Sequence, residues 1–118
     1  MTREFIRLHE FEKRCKQAGL TEDNIRDIEL TILSNPNIGV LMTGSGGVRK
    51  FRESLEKSSK GKSGGARIIY VDFAFYEKTY LLTVILKNES DNLTQSEKNE
   101  LRKLVKILEN ELKKRGNK

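Results

Sequence analysis

RIIYVDFAFYEKTYLLTVILK, residues 67–87, is the most strand-like stretch of the chain. Ile, Val, Phe, Tyr and Thr dominate it, residues that pack well on a pleated surface. It reads as two strands, Arg67 to Phe75 and Tyr80 to Lys87, with Glu77 and Lys78 at the turn. Two such runs joined by a short polar turn predict an antiparallel hairpin. A sheet built on this hairpin needs helices to cover it, and the flanking sequence offers them.

Upstream, Glu4 to His9 alternates, with Ile6 and Leu8 on one face, and predicts a first strand. Phe11, Cys15 and Ala18 share one face of a short helix that stops at Gly19. Thr21 is the expected N-cap of a second helix carrying Ile25, Ile28 and Ile32, which must end before Pro36. Asn35 to Gly47 reads as a connection. Val48 to Ser54 reads as a strand with Lys50 and Arg52 on one face and Phe51 on the other. Glu56 to Gly65 (EKSSKGKSGG) has the composition of a mobile loop. Downstream, Thr94 and Glu97 form a capping box. Leu101, Leu104, Val105, Leu108 and Leu112 then make one apolar helical stripe. The expected fold is α+β: a strand, two helices, three strands and a helix, as one domain over residues 1–118.

Charge is concentrated. The 118 residues carry a net charge of +6, and the pI is near 9.5. Residues 47–67 hold seven basic side chains (Arg49, Lys50, Arg52, Lys57, Lys60, Lys62, Arg67) against two acidic ones (Glu53, Glu56). Such a balance favours a polyanionic partner. No run reaches the roughly 20 apolar residues of a membrane span. Arg3, Glu4 and Arg7 arrive too early for a secretory leader, so no membrane partner is expected. The lone Cys15 can form no internal disulfide, which fits a cytoplasmic location.

Several chemistries are not expected. One histidine (His9) and one cysteine do not make a metal site, and no cofactor motif is complete. Gly61-Lys62-Ser63 ends like a phosphate-binding loop, but Glu56 stands where its first glycine belongs. Gly44-Ser45-Gly46 begins a dinucleotide fingerprint that Arg49 breaks. What remains is cations on a sheet. Lys50 and Arg52 point together, and Arg67 lies near them if its strand pairs with theirs. Lys87 closes the group at the end of the last strand. Grouped cations suit a phosphate. The alternative is ordinary pairing with Glu53, Glu56, Asp72 or Glu89, and spacing alone leaves both open.

The run GSGGVRKFRESLEKSSKGKSGGARIIY (residues 44–70), followed by YLLTVILKNESDNLT (80–94), resembles the RelE-like toxins of bacterial type II toxin–antitoxin modules, and most of all their HigB branch. The resemblance spans about residues 34 to 105. It implies a small single-domain RelE-like fold, with an antiparallel-dominated sheet, N-terminal helices and a C-terminal helix. It also implies a ribosome-dependent endoribonuclease that cuts translated mRNA by metal-independent attack of the RNA 2′-hydroxyl. On matching positions the catalytic set is Lys50, Arg52, Arg67 and Lys87. Arg49, Lys57, Lys60, Lys62 and Asn88 are then contacts to RNA and ribosome. An amine crowded by guanidinium groups gives up its proton more readily, so Lys50 is the expected base. Arginine keeps its charge, so Arg67 is the expected transition-state stabiliser. Arg52 and Lys87 would hold phosphate.

The chain departs from the family pattern at Leu86, Asn88 and Thr94, where relatives often carry glycine, arginine and tyrosine, and the acid that protonates the leaving group has no assignment. The implied partners are a HigA-like helix-turn-helix antitoxin, ribosomal RNA and mRNA, with operator DNA reached only through the antitoxin. Two other readings share the basic sheet. One is a ParE-like toxin acting on DNA gyrase. The other is a module that binds nucleic acid or its antitoxin without catalysis.

Overall fold

The computed structural model describes residues 2–53, 65–86, 89 and 92–116. Chain order is β1 (Glu4–Arg7), α1 (His9–Ala18), α2 (Glu22–Ser34), β2 (Val40–Leu41), β3 (Arg49–Glu53), β4 (Ala66–Phe73), a 3-10 turn (Ala74–Tyr76), β5 (Lys78–Ile85) and α3 (Gln95–Gly116). The strands form one mixed sheet in the order β1-β5-β4-β3-β2. Among the described residues β1 pairs in parallel with β5, and the other neighbours are antiparallel. The α+β class and the predicted hairpin hold.

Helices cover both faces of the central strands. Phe11, Cys15, Ile25, Ile28 and Ile32 of α1 and α2 pack on Phe51, Ile68, Tyr70, Leu81 and Val84. Val105 and Leu112 of α3 pack with Val48, Ile69, Val71, Tyr80, Leu82 and Ile85 on the other face. Hence Ile68 to Val71 is a continuous buried run rather than an alternating one. Between Ile69 and Tyr70 the ladder slips. Ile69 faces Thr83 and Tyr70 faces Leu81, leaving Leu82 as the extra residue of a bulge in β5.

Local chemistry sets the helix ends. Gly19 takes φ 76°, a left-handed conformation that costs glycine little, and its N–H donates to the Lys16 carbonyl. Thr21 caps α2, its Oγ1 accepting from Asn24 N–H at 3.1 Å while Asn24 Oδ1 accepts from Thr21 N–H. At α3, Thr94 Oγ1 accepts from Glu97 N–H and Glu97 Oε1 from Thr94 N–H, the predicted capping box.

Three expectations need correction. The predicted connection Asn35 to Gly47 contains the short edge strand β2, which pairs Val40 with Lys50 and Leu41 with Arg49. The turn of the hairpin is Ala74–Tyr76 followed by Glu77 at φ 56°, and Lys78 already belongs to β5. Aromatic residues favour strands, so Phe75 reads as strand in the sequence, yet it is 89% exposed at the turn. Among the described residues four strands therefore follow α2, where three were expected. The Glu56 to Gly65 loop lies outside the described residues except for Gly65, as do Lys57, Lys60, Lys62, Lys87 and Asn88. Among the described residues no helix is long and apolar enough to cross a membrane.

A part-buried ion pair ties the residue before β1 to the sheet. Arg3 donates from Nε to Asp72 Oδ1 at 2.8 Å and from Nη2 to Oδ2 at 3.1 Å, and Thr79 Oγ1 donates to Oδ1 at 2.6 Å. Removing one partner of such a pair strands the other's charge. Asp72→Ala should cost on the order of 3 kcal/mol in urea unfolding. The Cys15 thiol is pushed up to about 12 by burial. In the native protein at pH 8 it should resist a disulfide reagent and react fully once denatured, as thiol titration would show.

Candidate functional site

Strand register builds the site. In β3 side chains alternate, so Phe51 and Arg49 face α1 and α2 while Lys50 and Arg52 face the side of α3. Arg52 lies directly opposite Arg67 across β3 and β4, and Lys50 lies opposite Ile69. Opposed residues in an antiparallel pair have Cα atoms roughly 4.5–5.5 Å apart. Like charges at such positions destabilise a sheet, by about 0.2–1 kcal/mol per pair. The three cations therefore share one face at the end of the hairpin where β4 begins. Arg52 is exposed, and Lys50 and Arg67 are half-buried.

Lys50, Arg52 and Arg67 each have an interaction partner, and two of the carboxylates named as ordinary partners hold other arginines. Asp72 holds Arg3. Glu89 holds Arg14 at 2.7 Å and accepts from Leu86 N–H. Glu53 turns to the α2 side, where Thr31 hydrogen-bonds it; burial and then the neighbouring Asp27 charge raise its pKa. Glu56 lies outside the described residues.

Two grooves open beside these cations. One, of about 380 Å³, is lined by Ile38, Gly39, Val40, Lys50, Arg52 and Arg67 among others. The second, of about 370 Å³, joins Val40, Leu41 and Lys50 to Asn92, Leu93 and Lys98. A further cleft, of about 650 Å³, lies between the start of α3 and strands β4 and β5. Its floor is Ile69, Ile85, Leu93, Leu101 and Leu104, and Glu97 and Glu100 stand in its lining. Those carboxylates would repel a phosphate, so an anion belongs on the cation row beside it rather than inside it.

The α2–β2 connection is clamped beneath the row. Tyr70 Oη lies 2.7 Å from the Ile38 carbonyl and 3.0 Å from that of Pro36, donating to them. Arg49 Nη1 donates to the Asn37 and Gly39 carbonyls at 2.9 and 3.2 Å. Gly39 holds φ 92°, and a Cβ there would sit 2.1 Å from the Lys50 carbonyl oxygen. Arg49 is thus placed on the far face from Lys50 and Arg52, engaged with backbone. Lys98 joins the row unforeseen, because nothing in the chain's order signals that the start of α3 crosses β2. His9 is exposed at the first turn of α1. Among the described residues no three His, Cys, Asp or Glu side chains are grouped to hold a metal.

No family model matches the chain.

Gly39→Ala should cost more than about 1 kcal/mol, since a left-handed φ and a backbone clash coincide; chemical unfolding measures it. Burial pushes the Tyr70 hydroxyl up to about 12, above its ordinary value near 10. The native state therefore favours the protonated phenol. That stabilisation is complete below pH 10 and is lost as pH rises from 10 to 12. Ultraviolet titration should show this step, and Tyr70→Phe should remove it.

Proposed function

We propose that the protein is the toxin of a type II toxin–antitoxin module, a ribosome-dependent endoribonuclease that cuts mRNA during translation in the cytoplasm. The observation that carries this reading is the row Lys50, Arg52 and Arg67, with two arginines directly opposed on one open sheet face. The RelE-like, HigB-branch resemblance of residues 44–94 supports it, since its catalytic arginines and lysine fall on these positions.

The chemistry needs no metal. The 2′-oxygen of one nucleotide attacks its own 3′-phosphorus, a P–O bond forms to give a 2′,3′-cyclic phosphate, and the bond to the next nucleotide's 5′-oxygen breaks, that oxygen leaving as a hydroxyl with a proton from water. Lys50 takes the 2′-hydroxyl proton. Arg67 and Arg52 lie against the phosphate as charge builds on its oxygens, and an always-charged guanidinium fits that task better than proton transfer. Lys87 is the fourth member of the set by resemblance. A HigA-like antitoxin is the matching partner.

Removing one preorganised donor to a developing oxyanion costs roughly 10²–10³ in rate. Arg67→Ala should lower cleavage by that order. The test is to map mRNA 5′ ends after brief expression of the wild type and of Arg67→Ala, with the reporter translated or not. Cuts inside translated codons that vanish without translation and with Arg67→Ala are expected. Cuts that persist without translation would remove the ribosome from the mechanism. Growth arrest with no cuts would overturn the nuclease reading and favour a gyrase-directed toxin.

A further inference from the structure

The positive surface does not stop at the strands. Helix α3 is about 33 Å long at 1.5 Å per residue, and its cations are segregated. At 100° per residue, Arg102, Lys103, Lys106, Lys113 and Lys114 fall within about 120° of its circumference. All five are exposed. Glu97, Glu100 and Glu111 lie beyond one border of this flank, and Glu109 beyond the other. Lys103 meets Glu100 at 3.6 Å, but both are 72% exposed, and such pairs bind weakly.

This flank continues the cation row. Lys98, one turn before Arg102, lines the same groove as Lys50 and Val40. The Arg102 side chain passes within 3.3 Å of where a Cβ on Gly46 would stand, in the β2–β3 connection. Cations thus run from Arg67 and Arg52 through Lys50 and Lys98 onto the outer flank of α3.

We infer that this flank is a second, sequence-blind track for the phosphate backbone of a long or folded RNA, beyond the nucleotides held at β3 and β4. The inference rests on reading Lys50, Arg52 and Arg67 as an RNA site. Charge complementarity selects the occupant. A protein partner requires apolar or aromatic anchors at the centre of its contact. The flank has no aromatic residue, and Ile107 stands alone at its edge, 60% exposed. A line of cations without anchors suits phosphates, which are bound through charge and counterion release.

The test is fluorescence anisotropy across a salt series with two labelled RNAs, one of about four nucleotides and one a hairpin of about 20 base pairs. The proteins are the wild type, Lys106→Gln/Lys113→Gln/Lys114→Gln, and Lys50→Ala/Arg52→Ala/Arg67→Ala. These α3 lysines are exposed, so neutralising them should leave the fold intact, which circular dichroism checks. On the hairpin, the α3 variant should reduce the slope of log affinity against log salt by about 2, at 0.7 to 0.9 per phosphate contact. Its binding of the short RNA should match wild type. An unchanged slope on the hairpin would make the flank ordinary solvated charge and overturn the inference. Equal displacement of the hairpin by polyglutamate would substitute an acidic protein and also overturn it. A strand variant that binds both RNAs as wild type does would overturn the underlying site, a failure separate from that of α3.

Discussion

The two-sided burial of β4 governs everything else in this protein. Ile68 to Val71 sit under α1 and α2 on one face and under α3 on the other. A charge placed there would have to leave water, at a cost of several kcal/mol or more. Cations on the central strands are therefore confined to where the helices end. Arg67 is the second residue of β4, and Arg52 is the residue it meets on β3. The same burial that stabilises the sheet leaves Arg67 and Arg52 together at one of its ends.

That end is held stiffly. Tyr70 is fully buried yet carries a hydroxyl, and its position only makes sense with a polar partner within reach. It finds two carbonyls of the α2–β2 connection, while Phe51 packs edge-on against its ring with centroids 5.8 Å apart. Arg49 binds the same connection from the next strand. The backbone that presents Lys50 is thus fixed from behind by groups that never face the cations. A site that works through fixed charges gains from this, because donors held in place need no reorganisation when charge develops before them.

Much of this was legible in the sequence, for identifiable reasons. The helices announced themselves through Gly19, Thr21, Pro36 and the Thr94–Glu97 box, each a local signal. The pairing of Arg52 with Arg67 followed from alternation plus one assumed hairpin, and the register delivered it. Strand β2 was hidden because two residues carry no periodicity; its place depends on Gly39 and on carbonyls of the α2–β2 connection that Arg49 of β3 and Tyr70 of β4 bind. The turn at Ala74–Tyr76 was hidden because Phe75 and Tyr76 carry strand propensity, which an exposed turn ignores. The neighbourhood of Lys98 was hidden because it depends on how α3 crosses the sheet, a tertiary fact without a local trace. The placement of Arg49 was hidden for a similar reason. It shares a basic run with Lys50 and Arg52, but alternation sends it to the other face.

The bulge at Leu82 carries a consequence for shape. Ile69 pairs with Thr83 and Tyr70 with Leu81, which leaves Leu82 between them, so β5 spends one more residue than β4 along the same span. A strand longer than its neighbour cannot stay flush with it, and the excess is taken up as local twist. The two halves of the sheet are therefore rotated relative to one another, with Leu82 as the pivot. On one side of the pivot, Tyr80 and Val71 support the last turns of α3. On the other, Ile85 is still buried, Arg67 opposite it is half-buried and Arg52 beyond it is exposed, so the sheet passes there from a packing surface into a displayed one.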